Sequence, residues 1–256
     1  MSDPVHPQPS STVVLARPGT SGPEIFMVRR HARSAFGDAY AFPGGVVEDA
    51  DHAVYRFCTG IDERTANKYL GVDRDGLSFY SAAIRELFEE SGILLADVAR
   101  LEEEPGPARD ALNEGIDDWA SFVERNRLQL QCDALHYFSH WITPPSRARR
   151  YSTRFFLAAV PDTQEARHCG GELVDSCWST ADAMLDAARE GTRKLHFPTV
   201  KTLESVARHR TVDDLLQWAA ECVSWGVTTM APVIIERHGR PEIVLPGDRD
   251  YPGTRS

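Results

Sequence analysis

No apolar run in this 256-residue chain approaches the roughly 18–20 residues that a membrane-spanning helix needs. Cysteine is scarce and irregular: Cys58, Cys132, Cys169, Cys177 and Cys222 are odd in number and form no C-x-x-C pair. That pattern argues against a disulfide frame and for reduced core thiols in a reducing compartment. Positive charge is also short, since 28 Lys and Arg stand against 38 Asp and Glu, a formal net charge of −10. Broad binding to nucleic acid or anionic membranes is thereby disfavoured. A phosphorylated substrate is not excluded, because bound divalent cations would reverse the local field. Internal repeats are absent, and so are G-x-S-x-G, H-E-x-x-H and the phosphate-binding G-x-x-x-x-G-K. Their absence weakens the commonest competing hydrolase classes. Met1–Ser11 has no signal-peptide apolar core, is rich in Pro and Ser, and is expected to be a loose tail. The Arg-Ser ending is not the peroxisomal address S-K-L, so the expected location is cytoplasmic.

What is present suits a globular enzyme. A hydrophobic content of 42% and a charged content of 26% are ordinary for a soluble fold. The length allows one large domain over residues 12–250 with a short tail at 251–256. Thr12–Ala16 and Glu24–Arg30 read as strands of a hairpin, joined by the turn-rich Arg17–Pro23. Ile93–Ala96, Leu135–Ile142, Arg154–Val160 and Glu172–Trp178 read as further strands, and Val233–Glu236 with Glu242–Leu245 as a terminal hairpin. Arg109–Leu128 has helical periodicity, with Leu112, Ile116, Trp119, Phe122 and Val123 on one apolar face. Pro198–His209 and Val212–Trp225 are predicted helices, the second capped by Thr211, and Ser179–Asp182 opens another.

The informative stretch is Ile84-Arg85-Glu86-Leu87-Phe88-Glu89-Glu90-Ser91-Gly92. At about 100° per residue, Glu86, Glu89 and Glu90 share one helical face, and Tyr80, Ile84, Leu87 and Phe88 lie opposite. Like charges so placed repel by roughly 0.2–0.5 kcal/mol per pair. Arg85 can offset one of them by pairing with Glu89 at i, i+4, and Gly92 suits a left-handed helix end. Clustered glutamates are ordinarily a solvated face. What argues otherwise is Ala41-Phe42-Pro43-Gly44-Gly45-Val46-Val47-Glu48, a strand-like run meeting a turn where backbone can approach a ligand closely. Gly45 there could lend its carbonyl oxygen to a hard metal ion.

Together these residues resemble the Nudix hydrolase signature, G-x5-E-x7-R-E-U-x-E-E-x-G-U with U apolar. Arg85, Glu86, Leu87, Glu89, Glu90, Gly92 and Ile93 match its second half at every specified position. Counting from Gly45, Asp51 stands at the expected Glu position. Between Asp51 and Arg85 lie 33 residues where the signature has seven, so 26 are inserted. A split signature of this kind is similar to the Nudix branch that includes the peroxisomal coenzyme A diphosphatases. Trp141–Pro144, Arg149–Phe156 and Val244–Asp248 carry further resemblance to that branch.

The resemblance implies an α/β fold, a Nudix α/β/α sandwich with a mixed sheet, an insertion near 52–77 and extra C-terminal helices. It implies a pyrophosphate-cleaving enzyme acting on a small-molecule nucleotide with Mg²⁺ or Mn²⁺, the metals that oxygen-only ligands suit. Coenzyme A or an acyl-CoA is the substrate the branch suggests, with NADH, ADP-ribose and dinucleotides as alternatives. A nucleotide-sensing module without activity is the competing class. The metal set is Glu86, Glu89, Glu90 and the Gly45 carbonyl; the catalytic set is Arg85, Glu86, Glu89 and Glu172. Glu86 and Glu172 compete as general base, while Glu165 and Asp175 are rivals to Glu172 as a downstream acid. Arg29, Arg30, Arg33, Gly44, Arg150 and Arg154 are the substrate-binding candidates, and a homodimer is a compatible assembly. His136 and His140 are four apart, which strand alternation would place on one face, but no acidic partner lies beside them in sequence. The insertion, with helical segments near Ala53–Cys58 and Asp62–Leu70, could be a flap or a structural addition.

Overall fold

The computed structural model describes residues 5–30, 37–167, 173–237 and 239–252. Its centre is β1 (Gln8–Arg17), whose core-forming residues are buried on both faces. Val13 and Leu15 point into one apolar cluster, Val14 and Ala16 into another. A continuous apolar run is what a strand covered on both sides requires. The remaining strands are β2 (Glu24–Arg30), β3 (Tyr40–Ala41), β4 (Gly44–Val46), β5 (Cys58–Thr59), β6 (Leu130–Gln131), β7 (His136–Ile142), β8 (Tyr151–Ala159), β9 (Leu173–Thr180), β10 (Thr229–Met230), β11 (Val233–Arg237) and β12 (Arg240–Val244). The helices are α1 (Asp49–Ala53), α2 (Glu63–Leu70), α3 (Gly76–Ser91), α4 (Pro105–Asn113), α5 (Trp119–Asn126), α6 (Ala181–Arg189), α7 (Phe197–Val206) and α8 (Val212–Trp225).

An eight-stranded mixed sheet runs in the order β10-β7-β8-β1-β2-β3, with β4 also paired to β1 and β9 to β2. β8 lies parallel to β1 from Gln8↔Tyr151 to Ala16↔Ala159. On the far edge of β1, β4 pairs antiparallel through Ser10↔Val46, Ser11↔Gly45 and Thr12↔Gly44. α3 and its neighbours cover one face of the sheet, and α6, α7 and α8 cover the other. This is the α/β/α sandwich expected. No described helix is long and apolar enough to cross a membrane.

Several sequence expectations are corrected. The loose tail predicted over Met1–Ser11 does not hold for its last four residues, because β1 begins at Gln8 and Ser11 Oγ donates to the Phe79 carbonyl at 2.7 Å. Ile93–Ala96 does not join the main sheet; of these residues only Ala96 makes a bridge, to Leu130. Gln164 takes the place of a neighbouring strand there, accepting from Leu94 N at 2.8 Å and donating to Leu94 O at 2.9 Å. Gln164→Leu should therefore cost about 1–3 kcal/mol, the usual cost of stranding buried backbone groups, measurable by urea denaturation.

The helix predicted over Arg109–Leu128 is two helices, broken where Gly115 takes φ 66°. Ile116 falls in that break and is exposed, off the apolar face to which its spacing assigned it. In β7 the register shifts between Tyr137 and Ser139, pairing His136 with Leu157 and His140 with Arg154. Leu157 and Arg154 are an odd step apart, so the two histidines lie on opposite faces rather than one.

The insertion is packed into the fold. Val54, Ala66 and Leu70 are buried in the same cluster as α3. Asp62 caps α2 by accepting from Thr65 N at 2.7 Å. Asn67 Oδ1 accepts from Gly76 N at 2.6 Å and so fixes the start of α3. A side chain at Gly76 would collide with Asn67.

Candidate active site

α3 is nearly sealed. Of its 16 residues only Glu86 and Glu89 are not buried. Tyr80, Ile84, Leu87 and Phe88 pack into the core as their spacing predicted. Gly92, at φ 78°, ends the helix with its N–H on Phe88 O at 2.8 Å. Beyond that end, Arg109 Nε and Asn113 Nδ2 of α4 donate to Glu89 O at 3.0 and 3.1 Å, and Arg109 sets a positive charge where the helix dipole favours one.

Arg85 is the hub. Its Nε and Nη2 grip Asp51 at 3.2 and 3.0 Å, and Nη2 also donates to Val46 O at 2.8 Å. Nη1 donates to Glu86 Oε1 at 2.9 Å and to Glu89 Oε2 at 3.3 Å. Burial alone would lower this guanidinium's pKa, but Glu86 and Asp51 outweigh it and hold the group above its usual range. Asp51 has no exposed surface and also accepts from Ser81 Oγ at 3.0 Å and Glu48 N at 2.9 Å. Ser81 Oγ in turn accepts from Trp119 Nε1 at 2.9 Å. Asp51 departs from the signature in residue type, and the signal of its buried role is that it stands at the signature's acidic position.

The glycines fit around these carboxylates. Glu86 lies so close to Gly45 that a Cβ built there would stand 2.2 Å from Glu86 Oε1. Gly44 N donates to Glu90 Oε2 at 3.1 Å, and a Cβ on Gly44 would meet Ser11 O at 2.4 Å. Gly45→Ala should thus push aside the Glu86 carboxylate, the free end of a flexible side chain, at a cost of at most about 1 kcal/mol. Thermal unfolding checks this, and a loss of several kcal/mol would mean that Arg85 holds Glu86 too firmly to yield.

Among the described residues, three carboxylates, on Asp51, Glu86 and Glu89, gather around the Arg85 guanidinium. Glu89 feels this crowding: burial first, with Glu86, Glu48 and Asp51 adding to it, pushes its pKa up to about 7 against the opposing pull of Arg85. The donors suit a hard divalent ion in kind, being all oxygen. Among the described residues, no three acidic, His or Cys side chains converge as a ready-made metal site. Glu86 and Glu89 are drawn onto Arg85 and Glu90 onto the Gly44 amide. The oxygen donors on one face of α3 and the side-chain-free Gly45 backbone beside Glu86 fit an ion that would redirect them.

The other predicted site residues are scattered. Arg29 pairs with Asp38 at 3.3 Å on an exposed edge. Arg30 contributes its backbone to β2, and its side chain, like Arg33 and Glu172, lies outside the described residues. Arg150 is spent on backbone, donating to Thr143 O at 3.0 Å and Val5 O at 2.7 Å. Arg154 lies over the Phe79 ring at 4.6 Å and does not join the carboxylates. Glu165 pairs with Arg167 on the surface. Asp175 accepts from Tyr40 OH at 2.6 Å, which holds its carboxyl below the usual range.

The same architecture occurs in the crystal structure of a Nudix hydrolase from Alicyclobacillus acidocaldarius, with a TM-score of 0.70 at 24% identity over 83% of this chain and 96% of that one. The fold is thus that of the Nudix hydrolases. A family model described as the NUDT19 Nudix domain matches residues 57–204, and the chain belongs to that family. Among curated proteins it is similar to the acyl-coenzyme A diphosphatase NUDT19 of Gallus gallus, 28% identical over 96% of this chain and 80% of the relative. The Homo sapiens protein of that name is 26% identical over 98% of this chain and 83% of its own length.

Proposed function

We propose that the chain hydrolyses the pyrophosphate bond of coenzyme A or an acyl-CoA, giving adenosine 3′,5′-bisphosphate and a phosphopantetheine. The carboxylate cluster of Glu86, Glu89 and Glu90 against the bare Gly44–Gly45 backbone carries this reading. The diphosphatase activity in the names of the Gallus gallus and Homo sapiens relatives, which match nearly the whole chain, supports the substrate class. Glu86, Glu89, Glu90 and the Gly45 carbonyl would hold Mg²⁺ or Mn²⁺. When bound, such an ion neutralises charge on the phosphoryl oxygens and acidifies water.

The protein groups divide the remaining work. Arg85, locked onto Asp51, is a positioning residue that holds Glu86 and Glu89 by their carboxylates. Glu86 or Glu172 accepts the proton of the attacking water. The basic run Arg29, Arg30 and Arg33 takes the substrate phosphates.

The test is a substrate panel of coenzyme A, acyl-CoA, NADH, ADP-ribose and diadenosine polyphosphates with Mg²⁺ and with Mn²⁺, in isotopically heavy water. Coenzyme A or an acyl-CoA should be cleaved fastest, with EDTA abolishing turnover, and the labelled product would show which phosphorus is attacked. Faster cleavage of NADH or ADP-ribose would overturn the substrate class. Turnover indifferent to EDTA would overturn the metal. A metal that binds the folded chain should also raise its melting temperature by mass action.

A further inference from the structure

A cavity of about 1000 Å³ opens beside the free edge of the sheet, walled by the insertion helix α2 and the C-terminal end of α8. Lys68, Tyr69, Tyr80, His140, Arg154 and Thr229 are among the residues that line it, and none of Gly45, Glu86, Glu89 or Glu90 does. Its volume is at the upper end of ordinary small-molecule sites. Phe79, beneath Arg154, precedes Glu86 by seven residues, about 10 Å along α3 at the helical rise. The cavity and the carboxylate cluster therefore sit at different levels of the same helix.

Arg154 is the unexplained group there. It is 7% exposed, and among the described residues it has no acidic partner. Its Nε is buried without a hydrogen bond, while Nη1 donates to Ser152 Oγ at 2.7 Å. Arg85, equally buried, has three carboxylates around it. A buried cation that keeps its charge needs a counter-charge, and the described residues pair none with it here.

The neighbours complete a chain of donors. Ser152 Oγ also meets His140 Nε2 at 2.9 Å, and His140 Nδ1 meets Thr229 Oγ1 at 2.9 Å. Arginine can only donate, so Ser152 Oγ accepts from it and can still either give its hydrogen to Nε2 or accept from Nε2–H. In the tautomer where Ser152 gives its hydrogen, Nδ1–H donates to Thr229 and that hydroxyl's own hydrogen is left for the cavity. Burial and Arg154 keep His140 neutral, with its pKa pulled down to about 4. Of the two acids in the lining, Asp62 caps α2 and Asp133 lies against Gly60, and neither makes an ion pair with Arg154.

We propose that this cavity binds an anionic small molecule whose phosphate or carboxylate group pairs with Arg154, with the Thr229 hydroxyl and Lys68 as further donors. The site is independent of the hydrolytic reading of the carboxylate cluster. Calorimetric titration of the full chain in EDTA, which silences any metal-dependent site, tests it with inorganic phosphate, adenosine 5′-monophosphate and hexanoate as probes. Saturable binding of at least one probe is expected, and which one binds tells phosphate from carboxylate. Arg154→Gln should weaken binding at least tenfold. Ala220→Trp, on the exposed surface of α8 at the cavity wall, should block it without disturbing the core, so a poorly folded Arg154 variant leaves the test intact. No saturable binding to the wild-type chain, or binding that survives both substitutions, would overturn the proposal.

Discussion

Replacing Glu89 with Gln is expected to lower turnover by at least about 100-fold in a protein that melts no earlier than wild type. The amide keeps the shape of the side chain and an oxygen for Arg85 Nη1, and Arg109 and Asn113 hold the backbone carbonyl unchanged. What the substitution removes is one negative charge from a cluster that already crowds three carboxylates around Arg85. Without a metal that removal relieves repulsion; with one it deletes a ligand. Paired measurements of kcat and Tm separate the two. A folded variant turning over at close to the wild-type rate would take Glu89 out of the catalytic set. Glu90→Gln should act in the same direction.

The second large effect concerns stability. Arg85→Met leaves the Asp51 carboxylate with no exposed surface and no cation, and should cost about 3–5 kcal/mol in urea unfolding. Adding Asp51→Asn to that variant should recover part of the loss, because the orphaned charge is then gone. Arg85→Lys is not a conservative rescue, since an ammonium cannot hold Asp51 with two nitrogens while reaching Glu86, Glu89 and the Val46 carbonyl. A loss below about 1 kcal/mol, the range of exposed ion pairs, would show that water replaces the arginine.

The local parts of this arrangement were legible in the residues. Helical spacing put Glu86, Glu89 and Glu90 together, i, i+4 geometry gave the Arg85–Glu89 pair, and Gly92 marked the helix end. Thr211 likewise caps α8. What escaped was set by distant partners. Periodicity cannot see that Asp51, 34 positions earlier, takes two of the arginine's nitrogens, or that the carboxamide of Gln164 completes the backbone bonding of Leu94. A single bulged position in β7 reverses the face of every residue after it, which separated His136 from His140. Ile116 kept its helical spacing but lost its helix to the left-handed Gly115. Charge counts also failed to distinguish arginines: Arg150 serves backbone carbonyls and Arg154 a cavity, although both belong to one basic run.

The near-complete enclosure of α3 has a kinetic corollary. Amides in a helix with 14 of 16 residues buried can exchange with solvent only through large-scale opening, so the proposed catalytic carboxylates are anchored to a slowly exchanging segment. Any adjustment to substrates of different size must then come from the surrounding connections, while the acid groups themselves keep a fixed frame.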